Sequence, residues 1–211
     1  MSPPPSRRRL LAGVATASVA GLAGCLGGAI DDVTTREAAP ATVAESAIEE
    51  AGYGLEESHE VVEEETVAGQ SVEFRNQYVE YARSADLPGI GEVTAGVFTT
   101  VTSPRASVLG RELNPIAEMG PEEIAAYADE QYPELSVRGE PVGERSVESL
   151  KATTVTTFSG TVTIDGFDVD ALVDVTRFAH DGDHVVAVGV YPEALPGSAG
   201  RIETLFEGLD H

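Results

Sequence analysis

Two periodicities divide the chain from residue 40 onward, and most of it carries the strand period. Residues 44–51 predict a short helix. Thr42 stands ahead of it as a possible N-cap with Glu45 three positions on, the spacing of a capping box, and Gly52 offers a stop. Residues 56–67, 71–83 and 92–102 predict three strands, the last dominated by Val, Phe and Thr. A turn at Ala68-Gly69-Gln70 joins the first two. Val72, Phe74, Asn76, Tyr78 and Glu80 do not alternate cleanly, which leaves the facing of the second strand open. Residues 109–119, with Asn114-Pro115, predict a loop. Residues 121–132 predict a helix. Pro121 suits its first turn, and Glu122 and Glu123 suit its positive end. Ile124, Tyr127, Ala128 and Tyr132 recur at helical spacing as a core-facing stripe.

The second half predicts further strands at 137–142, 145–147, 152–164, 169–179 and 184–191. Asp165-Gly166 and Asp181-Gly182 are hairpin signals. Residues 184–191 form a nearly continuous apolar run, as expected of a central strand buried on both faces. Residues 198–209 predict a closing amphipathic helix with Ile202, Leu205, Phe206 and Leu209 on its buried side. Strands joined by two-residue turns are antiparallel, and helices set apart from strand runs indicate α+β rather than alternating α/β. The expected fold is a single α+β domain, a mostly antiparallel sheet of about seven or eight strands with three helices packed on it.

The first thirty residues read as an address. Arg7, Arg8 and Arg9 precede a stretch, Leu10 to Ile30, that contains no charged residue and is rich in Ala, Gly, Ser and Thr. Ser6-Arg7-Arg8-Arg9-Leu10-Leu11 resembles the twin-arginine export pattern, with Arg7 and Arg8 as the signal pair; the ordinary secretory route is the alternative. Leu22-Ala23-Gly24-Cys25 resembles a lipobox, which implies cleavage between Gly24 and Cys25 and lipid on the Cys25 thiol. An uncleaved N-terminal helix is the other possibility, since the uncharged stretch approaches the ~20 residues that span a bilayer. Both arrangements leave the arginines inside and the folded part outside. The expected division is a signal peptide at 1–24, a flexible tether at 25–36 and the α+β domain at 37–211.

The chain of 211 residues has 36 acidic and 13 basic residues, a net charge of −23. Its single lysine is Lys151, and its single cysteine is Cys25. Such a charge destabilises a compact state by self-repulsion. At ~1 M salt the Debye length is only ~3 Å and the repulsion is screened. The composition therefore reads as a surface adapted to brine. No basic patch exists to neutralise phosphates, which argues against nucleic-acid binding. With Cys25 lipidated no disulfide is available, so the exported domain must be held by its core.

Candidate chemistry is sparse. His180 and His184 flank the Asp181-Gly182-Asp183 turn and could face each other across a hairpin, but zinc needs further ligands and none converges in the sequence. They read as exposed turn residues. His59 and His211 show no partners. Asp165, Asp168, Asp170 and Asp174 lack the spacing of a calcium loop; the last three share strand parity and read as a solvated face. No Gly-x-Ser-x-Gly elbow occurs, and Gly89-Ile90-Gly91 is a turn rather than a phosphate cradle. No catalytic, metal or cofactor residue is expected.

Pro40-Ala41-Thr42-Val43, Ala51-Gly52-Tyr53, Val97-Phe98-Thr99-Thr100, Leu113-Asn114-Pro115, Phe158 and the run Ala187 to Pro192 resemble, in that order, a family of haloarchaeal lipoproteins. The order of elements also resembles the PsbP-like fold. The resemblance implies location and fold class and carries no site residues. The expected role is a lipoprotein on the outer face of the cytoplasmic membrane, anchored through lipid on Cys25. It would bind or organise a protein or surface partner without catalysis, with residues 109–119 as a contact loop. The alternative is an extracytoplasmic hydrolase whose site assembles only in three dimensions. A transporter's solute-binding protein is disfavoured, because one domain of this size lacks two lobes.

Overall fold

Two antiparallel meanders make the sheet. The first is β3 (Gly54–Val67), β4 (Gln70–Leu87) and β5 (Gly91–Pro104); the second is β8 (Leu135–Glu148), β9 (Ala152–Ile164), β10 (Phe167–His180) and β11 (Asp183–Pro192). β5 and β11 pair antiparallel, from Pro104 against Asp183 to Val97 against Val190, and fuse the two into the order β3-β4-β5-β11-β10-β9-β8. The computed structural model describes residues 35–67, 70–87, 91–108, 111–149, 152–164 and 166–211. Arg7, Arg8, Gly24, Cys25 and Asp165 lie outside these described residues.

The expected mostly antiparallel α+β architecture is present, with one parallel pair: β1 (Thr35–Glu37) runs alongside Glu73–Arg75 of β4. Residues 35 and 36, expected in the tether, are therefore part of the sheet. The reason is that β5 pairs β4 only from Gln77 onward, and β1 takes up the edge groups of β4 before that point. The hairpin between β10 and β11 turns through Asp181 at φ 42° and Gly182 at φ 97°, the left-handed pair that a type I′ turn needs.

α1 (Glu45–Ala51) and α3 (Ser198–Glu207) cover one face, and α2 (Pro121–Gln131) covers part of the other. β11 is buried along nearly its whole length, because its alternate residues enter both cores. Val185 and Ala187 meet the α1/α3 side, where Phe98 and Phe206 pack edge to face at 4.9 Å. Val186 and Val188 meet Ile124, Ala125 and Ala128 of α2. Tyr127 of the predicted stripe points outward, 46% exposed, and Ala125 is buried instead. The helix presents its small side chains to the sheet and so sits close to it. The segment leading into α1 crosses the α1/α3 face extended. Thr102 Oγ1 accepts from Ala41 N at 3.0 Å, Thr100 Oγ1 donates to Ala41 O, and Tyr81 OH accepts from Val43 N at 3.0 Å. Beyond it, β2 (Thr42–Val43) pairs with β12 (Leu209–Asp210), joining the two ends of the domain. Thr42 is thus a strand residue and does not cap α1, whose N-cap is Ala44 without a side-chain bond.

The short hairpin of β6 (Ser107–Val108) and β7 (Arg111–Glu112) leads to a 3-10 turn at Pro115–Ala117. Asn114 ties it to the sheet by donating to Ser103 Oγ at 2.6 Å and Pro104 O at 2.7 Å. This part of the expected contact loop is docked structure. The outer strands differ. β3 is exposed over its described length and rich in glutamate; β8 carries Pro141 and irregular register on both sides of it.

Gly189 marks the tightest approach of α3 to the sheet. A Cβ there would lie 2.7 Å from Cγ2 of the fully buried Ile202. Gly189→Ala is expected to lower stability by about 1–3 kcal/mol through overpacking, measured as a reduced urea midpoint with unchanged slope.

Candidate functional site

The sheet face that carries α2 is also where polar side chains converge. Tyr78 and Glu80 share that face of β4 by the period of two, and Thr99 of β5 lies directly opposite Glu80. Tyr132 caps α2, leaving the helix in an extended conformation while its N–H still donates to Ala128 O at 3.1 Å. That exit directs its ring over β4. Its hydroxyl donates to Glu80 Oε2 at 2.6 Å, and Tyr78 OH donates to the same oxygen. Thr99 Oγ1 lies 2.7 Å from Tyr132 OH and 3.4 Å from Glu80 Oε2. Three hydroxyls crowd one carboxylate oxygen. Two phenol protons point at Glu80, and the threonine proton is left to serve Tyr132. Burial, reinforced by the Glu80 carboxylate, pushes the Tyr78 phenol up to about 12 and the Tyr132 phenol further still. Both rings therefore remain protonated donors at neutral pH.

Glu80 and Tyr132 of the cluster line a groove of about 580 Å³. Ala82, Val97, Val162 and Val190 line it with apolar surface, and Leu135 adds a wall. Glu56, Glu92 and Glu134 join Glu80 in its lining, and no Lys, Arg or His stands among the described lining residues. Glu80 Oε2 is saturated, whereas Oε1 makes no hydrogen bond among the described residues. A second hollow, about 760 Å³, lies between α2 and the threonines of β9. Its cation, Arg177, is already committed to Met119 O at 3.0 Å. Apolar lining with a few convergent polar groups is the pattern of a small-molecule site, and the first groove has it more fully.

The acidic series is split by the fold. Asp168 and Asp170 are exposed, as expected, and Asp170 meets Arg138 at 3.1 Å. Asp174 shares their parity but is fully buried, because α3 covers that end of β10. Its carboxylate accepts from Arg145 at 2.7 Å, from Thr157 at 2.6 Å and from Tyr191 at 3.1 Å. A buried charge satisfied on both oxygens is a structural pair.

His180 and His184 are not directly opposite across the hairpin: His180 pairs with Asp183 and His184 with Ala179. His180 Nδ1 contacts His211 Nδ1 at 3.2 Å, and His211 Nε2 lies 3.2 Å from Asp183. His184, one turn away across the hairpin, faces Glu112 at 3.6 Å and is buried, as its place on a central strand dictates. Neither ring nitrogen of His184 has a hydrogen bond among the described residues. No group of three His, Cys, Asp or Glu among them is placed to hold a metal. The tyrosine cluster escaped sequence reading because its members come from β4, β5 and the end of α2. The one local signal is the pair Tyr78 and Glu80, polar residues at alternate positions on the strand face that begins with the apolar Val72 and Phe74.

A family model matches residues 40–210. The chain belongs to DUF6517, a domain of unknown function. The match spans both meanders and all three helices, so the DUF6517 domain is the whole of this fold apart from β1. No curated protein and no solved structure matches the chain, and the likeness to a PsbP-like fold gains no support from them. Among the described residues no helix is long and apolar enough to cross a membrane.

Tyr132→Phe removes one donor from Glu80 and the acceptor of Thr99. It is expected to cost about 1–2 kcal/mol, in the range for a bond to a charged partner at a half-buried position, and to leave far-UV circular dichroism unchanged. A second expectation concerns pH. Burial holds His184 below its ordinary 6.5, with Arg105 and Arg177 adding to the effect and Glu112 opposing it. The unfolded chain then binds the proton more readily. Stability is full above pH 6.5 and falls as pH drops from there toward the folded value. For Glu112, burial raises the carboxyl, but three backbone donors and His184 outweigh it and the net shift is downward. Its contribution is present above 4.5 and is lost as pH falls through the folded value. Denaturation midpoints between pH 7.5 and 5 should fall in the wild type and stay flatter in His184→Phe.

Proposed function

We propose that this DUF6517 protein is an extracytoplasmic lipoprotein, tied to the outer face of the cytoplasmic membrane through Cys25, that binds a small apolar-bodied ligand in the groove beside Tyr132 without transforming it. The twin-arginine and lipobox sequences, and the resemblance to haloarchaeal lipoproteins, support the location. Lipid with more than one chain is implied, since a single chain holds only marginally.

The observation that carries the binding role is the groove itself: apolar side chains and a carboxylate, with protonated tyrosines as its neighbours, line one hollow. Proton transfer works best with groups poised near the working pH. Phenols raised to about 12 and beyond act as fixed hydrogen-bond donors instead. Glu80 with its three hydroxyls then serves as a rigid polar end against which a ligand's head is oriented. A hydrolase would need a nucleophile with an adjacent base; His180, His184 and His211 lie away from the groove, and His59, whose ring is 4.8 Å from that of Tyr78, is not among its lining residues.

Hexan-1-ol, an uncharged probe with an apolar body, is expected to bind the purified full-length protein with measurable heat in titration calorimetry. Ala82→Phe, which fills the groove from its floor, should abolish that heat while the melting temperature changes little. An unchanged isotherm would reject the groove as the site. For the anchor, Cys25→Ser is expected to move the protein from the membrane fraction to the medium. Recovery of the variant in membranes would reject the lipid.

A further inference from the structure

We propose that the groove selects an organic cation, a primary ammonium head on an apolar body. This deepens the binding role above and rests on it. Three observations converge. The first is the sign of the lining: Glu56, Glu80, Glu92 and Glu134 face the groove without a cationic side chain among the described lining residues. The second is the free acceptor. Tyr78, Tyr132 and Thr99 all gather on Oε2 of Glu80, so that Oε1 remains available to a further donor. The three hydroxyl protons are used within the cluster, so a ligand that bonds Oε1 brings its own N–H or O–H. An ammonium brings three donors and a positive charge. The third is aromatic. Tyr132 stands in the lining with its hydroxyl on that carboxylate, and an aromatic ring attracts a cation.

The apolar lining by Ala82, Val97, Val162 and Val190 sets the rest of the ligand. A metal ion or a bare inorganic cation would gain nothing from that surface, and an anion would meet four carboxylates. A short alkylammonium satisfies both halves: its chain covers the floor and its head reaches Glu80 Oε1.

The test uses three probes of one length on the full-length protein: hexylammonium, hexan-1-ol and hexanoate. They are titrated calorimetrically at pH 7, in the lowest salt at which circular dichroism shows the chain folded. Hexylammonium is expected to bind at least about tenfold more tightly than hexan-1-ol, the gain of a charge-assisted bond over a neutral one. Hexanoate should bind more weakly than either. Glu80→Gln should bring hexylammonium to within about threefold of the alcohol. Because that change also disturbs the tyrosine cluster, Glu92→Gln/Glu134→Gln provides a second variant that leaves the cluster intact. It should weaken hexylammonium and leave hexan-1-ol unaltered. Alcohol binding as tight as ammonium binding would overturn the cation inference while leaving the groove as a ligand site. Tighter binding of hexanoate would do the same. Absence of binding by all three would overturn both.

Discussion

The pairing of β5 with β11 is the seam on which the molecule depends. Each meander can form from local hairpins, but only their pairing makes one continuous sheet. Bringing residues 97–104 against residues 183–190 requires a long loop to close, at an entropic cost that only non-local packing offsets. The sequence concentrates its apolar side chains there. β11 feeds two cores at once, and Phe98 opposite it anchors the contact to α3. The buried threonines Thr100 and Thr102 hold the entering segment on the same strand.

The two faces are finished differently, and the groove follows from a mismatch of lengths. α2 has 11 residues and spans about 16 Å at 1.5 Å per residue. The 14 residues of β10 span about 46 Å at 3.3 Å per residue. One helix cannot roof strands of that length. On the opposite face α1, α3 and the extended entering segment share the task. On the α2 face the uncovered floor at the helix's C-terminal end is left between Tyr132 and the rim of glutamates. The site is thus where the covering layer runs out, and the residue that ends the helix is also the one that furnishes its polar end.

Much of this fold is legible in the sequence because its signals are local. The Asp181-Gly182 turn, the apolar run of β11 and the helical stripe of Ile202, Leu205 and Phe206 each require only neighbours to interpret. The misreadings arise where a distant element decides. Asp174 has the right parity but the wrong solvent exposure, since α3 arrives from the far end of the chain to cover it. Thr42 has capping spacing but is claimed by β12. Residues 35–36 resemble a tether but are claimed by β4. The groove is the extreme case: Tyr132 fits a core stripe on its own helix, and only the fold reveals that its hydroxyl reaches Glu80. A polar Tyr–x–Glu alternation inside a long strand, and an aspartate set among Leu172, Val173 and Val175, are the marks that could have exposed both clusters.

The two margins of the sheet are protected by unlike means. At β8 the protection is covalent and geometric: Pro141 offers no backbone donor and the distorted register bends the ladder away from any newcomer. At β3 it rests on glutamate side chains such as Glu57, Glu60, Glu63 and Glu64 flanking the exposed Val61 and Val62. Electrolyte weakens the second safeguard and leaves the first untouched. In concentrated brine, the glutamate-lined margin at β3 is the less protected of these two.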